Sequence, residues 1–162
     1  MTVVASIVLG ADGSTTPSRL VSNDIDRKDF LARRRSMDCI LIGGNTARTE
    51  RYENTPAPLV VMTRNSEELK SIYKEATFLS CSPIKAISYC FRKFGSTVGV
   101  EVGPDLLIEM IRADLIDELH LTITNKTGAT NPHTPEEFLE KLQVISDEDK
   151  EGTRLIVARK QK

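Results

Sequence analysis

The chain of 162 residues predicts an α/β domain of three layers, with helices on both faces of a mostly parallel central sheet and an antiparallel hairpin at its C-terminal end. Three observations predict it. Cys39–Ile42 and Leu59–Met62 are unbroken apolar runs, the composition of strands buried on both faces. Such runs alternate along the chain with stretches of helical period, the pattern of a parallel sheet layered between helices. Two of them end in glycine immediately before a helix start, at Gly43-Gly44 and at Gly103-Pro104.

Thr2–Leu9, rich in β-branched residues, is the first strand, and it stops at the turn Gly10-Ala11-Asp12-Gly13. Ser14–Ser22 is polar and reads as a surface loop. Asn23 or Asp24 caps a helix that carries Asp26, Phe30 and Leu31 and ends in Arg33-Arg34-Arg35. Acidic residues at its start and basic ones at its end complement the helix dipole. Such an arginine run is ordinarily a solvated last turn; one of the three could instead reach over the sheet edge toward a phosphate. Asp38–Glu50 is the centre of the chain: a buried strand, two glycines, and Asn45-Thr46-Ala47-Arg48 opening a short helix. A glycine turn at a helix N-terminus offers free amides and a favourable dipole to an anion, and without a ligand it is simply a tight strand–helix turn.

Arg51–Pro58, with two prolines, is a loop. Leu59–Met62 is a strand ending at Thr63-Arg64, Glu67–Tyr73 a short helix and Ala76–Leu79 a short strand. Ser82 caps a helix with Pro83 in its first position and Gly95 just past its end, and Ile84, Ile87, Cys90, Phe91 and Phe94 form its core-facing stripe. Thr97–Val102 is a strand ending at Gly103, and Pro104 opens a helix with Leu106, Leu107, Met110 and Ile111 on one side. Leu115–Thr124 alternates as a half-buried strand, Asn125–Pro135 is a polar loop, and Glu136–Leu142 a short helix. Leu142–Ser146 and Arg154–Arg159 pair as a hairpin joined by Asp147–Gly152.

Composition narrows the function. With 22 basic against 23 acidic residues the net charge is −1, which leaves no global basic field for nucleic acid or an anionic membrane. No apolar run approaches the roughly 20 residues that span a bilayer, and the N-terminus reads as a strand, not a signal peptide. Cys39, Cys81 and Cys90 are odd in number and lack CxxC spacing, as expected of a reduced, cytoplasmic protein without structural zinc. The chain has neither G-x-G-x-x-G nor a P-loop. His120 and His133 have no acidic cluster in sequence to make a metal site, and His120 reads as a partly exposed strand residue. A single domain over residues 1–162 is expected. Two strand–glycine–helix turns in one small sheet suit a ligand that carries several phosphates.

Gly10-Ala11-Asp12-Gly13, DCILIGGNTARTE, LVVMTRN, VGVEVGPDL and LIDELHLTI follow in the order and approximate spacing of the reductase domain of riboflavin biosynthesis. From about Val3 to Thr124 the chain resembles that family, whose domain is similar in fold to dihydrofolate reductase. The resemblance implies NADPH-dependent reduction of the ribosyl group of a pyrimidine ribosylamine 5′-phosphate to a ribityl group, without a metal, in a homodimer. Carried over by position, it places Gly43, Gly44, Asn45, Thr46, Arg48, Glu50, Thr63 and Arg64 along the cofactor, with Arg64 near its adenosine ribose. Val102, Gly103, Pro104, Asp105 and Leu106 would wrap the pyrophosphate. Ser18, Arg34 and Glu101 would face the substrate, and Asp12 the nicotinamide pocket. Asp12 and Glu101 are the candidate catalytic carboxylates, to orient ribose hydroxyls or relay a proton; both could equally be residues that cap backbone amides.

Two departures stand out. The family's D-D-P-x-L-T-x-R-like run, whose arginine meets the substrate phosphate, is replaced by Glu50-Arg51-Tyr52-Glu53-Asn54-Thr55, leaving Arg51 as the substitute. Asp105 stands where the family carries a hydroxyl residue, and a carboxylate beside a pyrophosphate repels it unless it points away. A reductase of another small heterocycle or carbonyl compound is the alternative function, and a relative that binds a nucleotide without turnover is a third.

Overall fold

The computed structural model describes residues 1–162. Its sheet has eight strands in the order β4-β3-β2-β5-β1-β6-β8-β7. These are β1 (Thr2–Leu9), β2 (Cys39–Gly43), β3 (Leu59–Met62), β4 (Thr77–Leu79), β5 (Thr97–Val100), β6 (Glu118–Ile123), β7 (Leu142–Lys150) and β8 (Thr153–Lys160). The first six are parallel, and β8 runs antiparallel to both β6 and β7. The helices are α1 (Asp24–Arg34), α2 (Gly44–Thr49), α3 (Glu67–Ile72), α4 (Pro83–Lys93), α5 (Pro104–Arg112) and α6 (Pro135–Leu139). The mixed α/β architecture with its late hairpin is the one the alternation predicts.

Burial alternates along the strands and divides the core between two faces. Val3, Ala5, Leu41, Val60, Val98, Val100, Leu119 and Leu121 point to one face, against α4, α5 and Phe138 of α6. Ile40, Ile42, Leu59 and Val61 point to the other, with Ala47, Tyr52, Leu69 and Tyr73. On α4, Ala86, Ile87 and Cys90 are buried, whereas Ile84 of the expected stripe is 58% exposed in the first turn.

The hairpin is longer than its sequence suggests. β7 continues through the charged stretch Asp147–Lys150, and a two-residue turn closes it at Glu151-Gly152. Both turn residues have positive φ, 53° and 83°, as the primed turns that match strand twist require. Arg154 reaches across to Asp147 through two hydrogen bonds of 2.8 and 2.6 Å, so these charges decorate a ladder, not a loop.

The chain runs from β1 outward to β2, β3 and β4, then returns to insert β5 between β2 and β1 before reaching β6 on the far side. Strand order therefore reverses at β5. In open α/β sheets the crevice beyond the carboxyl ends of the strands at such a reversal is where ligands bind.

Candidate active site

Both glycine turns leave the sheet at this reversal. Gly43 ends β2 as the N-cap of α2, and Gly103 is the N-cap of α5; no side chain caps either helix. The turns are neighbours, because a Cβ built on Gly43 would lie 3.8 Å from the Leu106 side chain of α5. The glycines serve different ends. A Cβ on Gly44 would come within 2.7 Å of Thr63 Oγ1 and 2.9 Å of Arg48, so its bareness lets β3's exit loop pack against α2. A Cβ on Gly103 would meet nothing within 4 Å. Packing does not require glycine there. A backbone held bare and open above an uncapped helix N-terminus fits the phosphates of a dinucleotide.

Around this opening the side chains anticipated for the cofactor divide into two groups. Asn45 is exposed and Thr46 half-buried on α2, while Val102 and Pro104 are buried beneath the second turn. Arg48 is already occupied: its Nε donates to Glu68 Oε1 at 2.6 Å and its Nη2 to the Asn65 carbonyl at 2.9 Å. Thr63 Oγ1 also bonds within that loop, to Asn65. Arg64 beside it is exposed and makes no ion pair, the remaining cation at the end of β3. Glu50, carried over to the cofactor, accepts instead from Ser18, whose N–H and hydroxyl donate to its two oxygens at 2.8 and 2.9 Å. Glu50 and Ser18 thus tie the 3-10 turn Ser18–Leu20 to the end of α2. Asp105 turns toward the 125–134 loop, where Asn131 Nδ2 donates to it at 3.1 Å.

Beneath the crevice lies a buried cluster. Glu101 follows β5, its N–H still bonded to the Leu41 carbonyl at 2.9 Å. Arg34 Nε and Nη2 donate to its two carboxylate oxygens at 2.9 and 2.6 Å, and the Tyr52 hydroxyl donates to Oε2 at 2.6 Å. The Arg34 guanidinium sits over the Phe30 ring at 4.3 Å and the Tyr52 ring at 4.8 Å. Arg34 and Glu101 are each more than nine-tenths buried. Burial works against the charge of Arg34, and the bonds and charge of Glu101 outweigh it, so the guanidinium is held charged. Burial first, and the charge of Glu101 second, push the Tyr52 phenol well above its usual range, which keeps it neutral and donating.

This arrangement alters the roles assigned by position. Arg34 is one of the three arginines ending α1, yet it points inward and spends its fork on Glu101, not on a phosphate. Glu101 has both oxygens engaged, as a positioned anion and not a group poised to pass a proton. Asp12 accepts from Ser14 N, Ser14 Oγ and Gly128 N at 3.1, 2.6 and 3.1 Å. The Ser14 hydroxyl and these amides hold its carboxyl below the usual range, so it is an exposed anchor of the first turn. Arg51 is exposed. Tyr52 was missed because it reads as part of a polar loop; its signal is a lone large aromatic in a stretch that otherwise has no reason to carry one.

His120 lies 2.6 Å from Glu118 Oε1 and its side chain is 19% exposed. Burial and then Arg33 push its imidazole down, which agrees with a strand residue. No group of three or more histidine, cysteine, aspartate or glutamate side chains converges where an ion could be held, and no helix is long and apolar enough to cross a membrane.

The RibD C-terminal domain model matches residues 2–148. The chain belongs to the RibD C-terminal domain family. No curated protein matches its sequence. Among solved structures, it is similar over 99% of its length to the diaminohydroxyphosphoribosylaminopyrimidine deaminase/5-amino-6-(5-phosphoribosylamino)uracil reductase of Thermotoga maritima, with a TM-score of 0.73 and 15% identity, covering 56% of that chain. A pyrimidine reductase-like protein of Corynebacterium diphtheriae aligns with a TM-score of 0.70 and 17% identity, over 99% of this chain and 92% of that one. Dihydrofolate reductase of Enterococcus faecalis, in complex with NADP(H), aligns with a TM-score of 0.74 and 14% identity, over 99% and 97%. At these identities the likenesses establish the fold, a dihydrofolate reductase-like RibD domain.

Proposed function

We propose that this RibD-family domain is an NADPH-dependent reductase that converts the ribosyl group of a pyrimidine ribosylamine 5′-phosphate to a ribityl group, acting as a homodimer. The observation that carries the cofactor reading is the bare, open backbone at Gly103 above the uncapped N-terminus of α5, adjacent to Gly43. Family membership supports the substrate class.

Gly43, Gly44 and residues Val102–Leu106 would hold the pyrophosphate, with Arg64 toward the adenosine ribose. Reduction of a ribosylamine needs a hydride at the anomeric carbon and a proton for the ring oxygen released. NADPH supplies the hydride when bound. The chain's own contribution is to bind and align two ligands. Asp12 is held below the usual carboxylate range by Ser14 and the Gly128 amide, and Glu101 has both oxygens engaged by Arg34 and Tyr52. Glu101, held by Arg34 and Tyr52, fixes the floor on which the second turn stands.

One observation favours a second reading, a relative that binds the nucleotide without turnover. The inward-facing Arg34 is consumed by Glu101, which leaves the exposed Arg51, of the two arginines carried over by position, for a substrate phosphate. Gly103→Val separates cofactor binding from folding, because the added side chain enters open space at φ −62°, which any residue adopts. The expected result is an unchanged melting temperature with NADPH affinity lowered at least tenfold in fluorescence titration. Full affinity in the valine variant removes the pyrophosphate from this turn.

A further inference from the structure

His133 carries the one buried side-chain polar atom that lacks a hydrogen-bond partner, its Nε2. Its side chain is 9% exposed and packs edge-on against Phe138, with ring centroids 5.8 Å apart. The ring has a fixed seat, because the His133 N–H donates to the Gly13 carbonyl at 2.9 Å. Charged groups face it from two elements. Glu137 of α6 stands 3.4 Å from Nδ1, and Asp105 of α5 stands 3.4 Å from Nε2. The first turn offers His133 its backbone, since the Asp12 carboxylate is taken by Ser14 and Gly128. Glu137 is itself tied down, accepting from Thr134 N at 2.7 Å.

An imidazole between two carboxylates has a donor for each only when it is protonated. As the neutral ring, one nitrogen is an acceptor facing an anion. Asp105 is the exposed member of the set, held by Asn131 Nδ2 at 3.1 Å. Its side chain is 74% exposed, and it occupies the first turn of α5, where a carboxylate left free competes with an anionic ligand for the amides and repels it.

We propose that anion binding at the N-terminus of α5 is linked to a proton on His133, the imidazolium drawing the Asp105 carboxylate onto the 125–134 loop and clear of the incoming pyrophosphate. The inference rests on the reading of this turn as the pyrophosphate site. It makes Asp105 and His133 positioning residues for the cofactor, and it accounts for a carboxylate in a place where a bound diphosphate disfavours one. Loss of the proton leaves Asp105 held to the loop by Asn131 alone, so affinity falls as pH rises, by up to about tenfold per unit for a fully linked proton.

Calorimetric titration with NADPH in buffers of different ionisation enthalpy reads the proton directly. The cofactor's 2′-phosphate titrates as well, so the difference between wild type and His133→Gln is the quantity of interest. Wild type should take up more protons than His133→Gln at pH 7 and lose affinity more steeply between pH 6 and 8. Asp105→Asn should bind at pH 8 as tightly as wild type does at pH 6. Equal proton uptake and equal pH dependence in wild type and His133→Gln overturn the linkage while leaving the pyrophosphate reading intact. Absence of NADPH binding by wild type at every pH overturns the pyrophosphate reading, and the linkage with it. A ligand-free double-mutant cycle is the independent arm. Asp105→Asn should lower the urea midpoint at pH 6 and not at pH 8.5, and only when His133 is present; identical effects in both backgrounds overturn the ion pair.

Discussion

Arg34 is held by a carboxylate on one side and two aromatic rings on the other, out of water. An exposed ion pair contributes little, but a buried one cannot lose a partner without stranding a charge. Arg34→Ala leaves Glu101 uncompensated beside Tyr52 and should cost about 3–5 kcal/mol in urea unfolding. A loss under 1 kcal/mol would mean that water enters the cluster. Arg64 presents the opposite case, exposed and unpaired at the end of β3. A guanidinium bonded to a 2′-phosphate contributes on the order of 1.5–3 kcal/mol, about ten- to hundredfold in affinity. Arg64→Ala should therefore weaken NADPH at least tenfold and leave NADH nearly unchanged. Equal losses for both cofactors, or none, would make Arg64 a surface residue. Nothing in the triplet Arg33-Arg34-Arg35 distinguishes the arginine that reaches Glu101 from Arg33, which is 11% exposed and donates to Ser6 Oγ of β1 instead. That choice is made by Phe30 one turn earlier and by Tyr52 and Glu101, residues brought in from distant parts of the chain.

At the scale of elements, the packing of α1 onto the sheet rests on a small polar network. Asn23 caps the helix by accepting from Asp26 N at 2.9 Å, and its Nδ2 donates to Thr153 Oγ1 of β8 at 2.7 Å. Ser22 Oγ donates to Asp26 Oδ2 at 2.6 Å, and Asp26 is 7% exposed. Burial raises the Asp26 carboxyl above its usual value, with the Ser22 hydrogen bond working against that rise. A folded-state value above the unfolded one means that folding binds the proton. The contribution of Asp26 is most favourable below the ordinary carboxylate range and is lost as pH climbs through the raised value. Asp26→Asn should thus match or exceed wild-type stability in urea at pH 7, with the advantage vanishing toward pH 4. An asparagine variant that is weaker at pH 7 would show that the ionised form is needed. Most elements were legible because apolar runs and caps act locally: Asn23, Pro83, Gly103 and Pro104 mark helix starts in sequence as they do in space. The hairpin was shortened because Asp147–Lys150 has poor strand propensity, and its pairing comes from Arg154 and the turn at Glu151-Gly152. The 125–134 loop looked merely polar, yet it docks on the first turn through backbone bonds such as Ala11 N to Lys126 O and His133 N to Gly13 O.

Across the whole molecule, the proposed function depends on where β5 is inserted. Strands far apart in sequence, β2 and β5, become neighbours, with Ile40 opposite Gly99 and Leu41 opposite Val100. Their exits bring Gly43 and Leu106 together at the reversal of strand order. The two glycine turns were visible in sequence, and their convergence was implied by the ordered resemblance. Which glycine its surroundings leave bare was not visible. Gly44 opens α2 against Thr63 and Arg48, whereas Gly103 is the N-cap before α5 and faces open space. The central claim is that this crevice aligns NADPH with a ribosylaminopyrimidine 5′-phosphate for hydride transfer. Its most direct test is NADPH oxidation at 340 nm by the purified protein, with the substrate supplied in both its amino and its deaminated forms and with chelator present throughout. The account predicts one NADPH consumed per ribityl product formed from one of the two, undiminished by the chelator. NADPH binding with no oxidation on either substrate, or activity that disappears with the chelator and returns with a divalent ion, would contradict it.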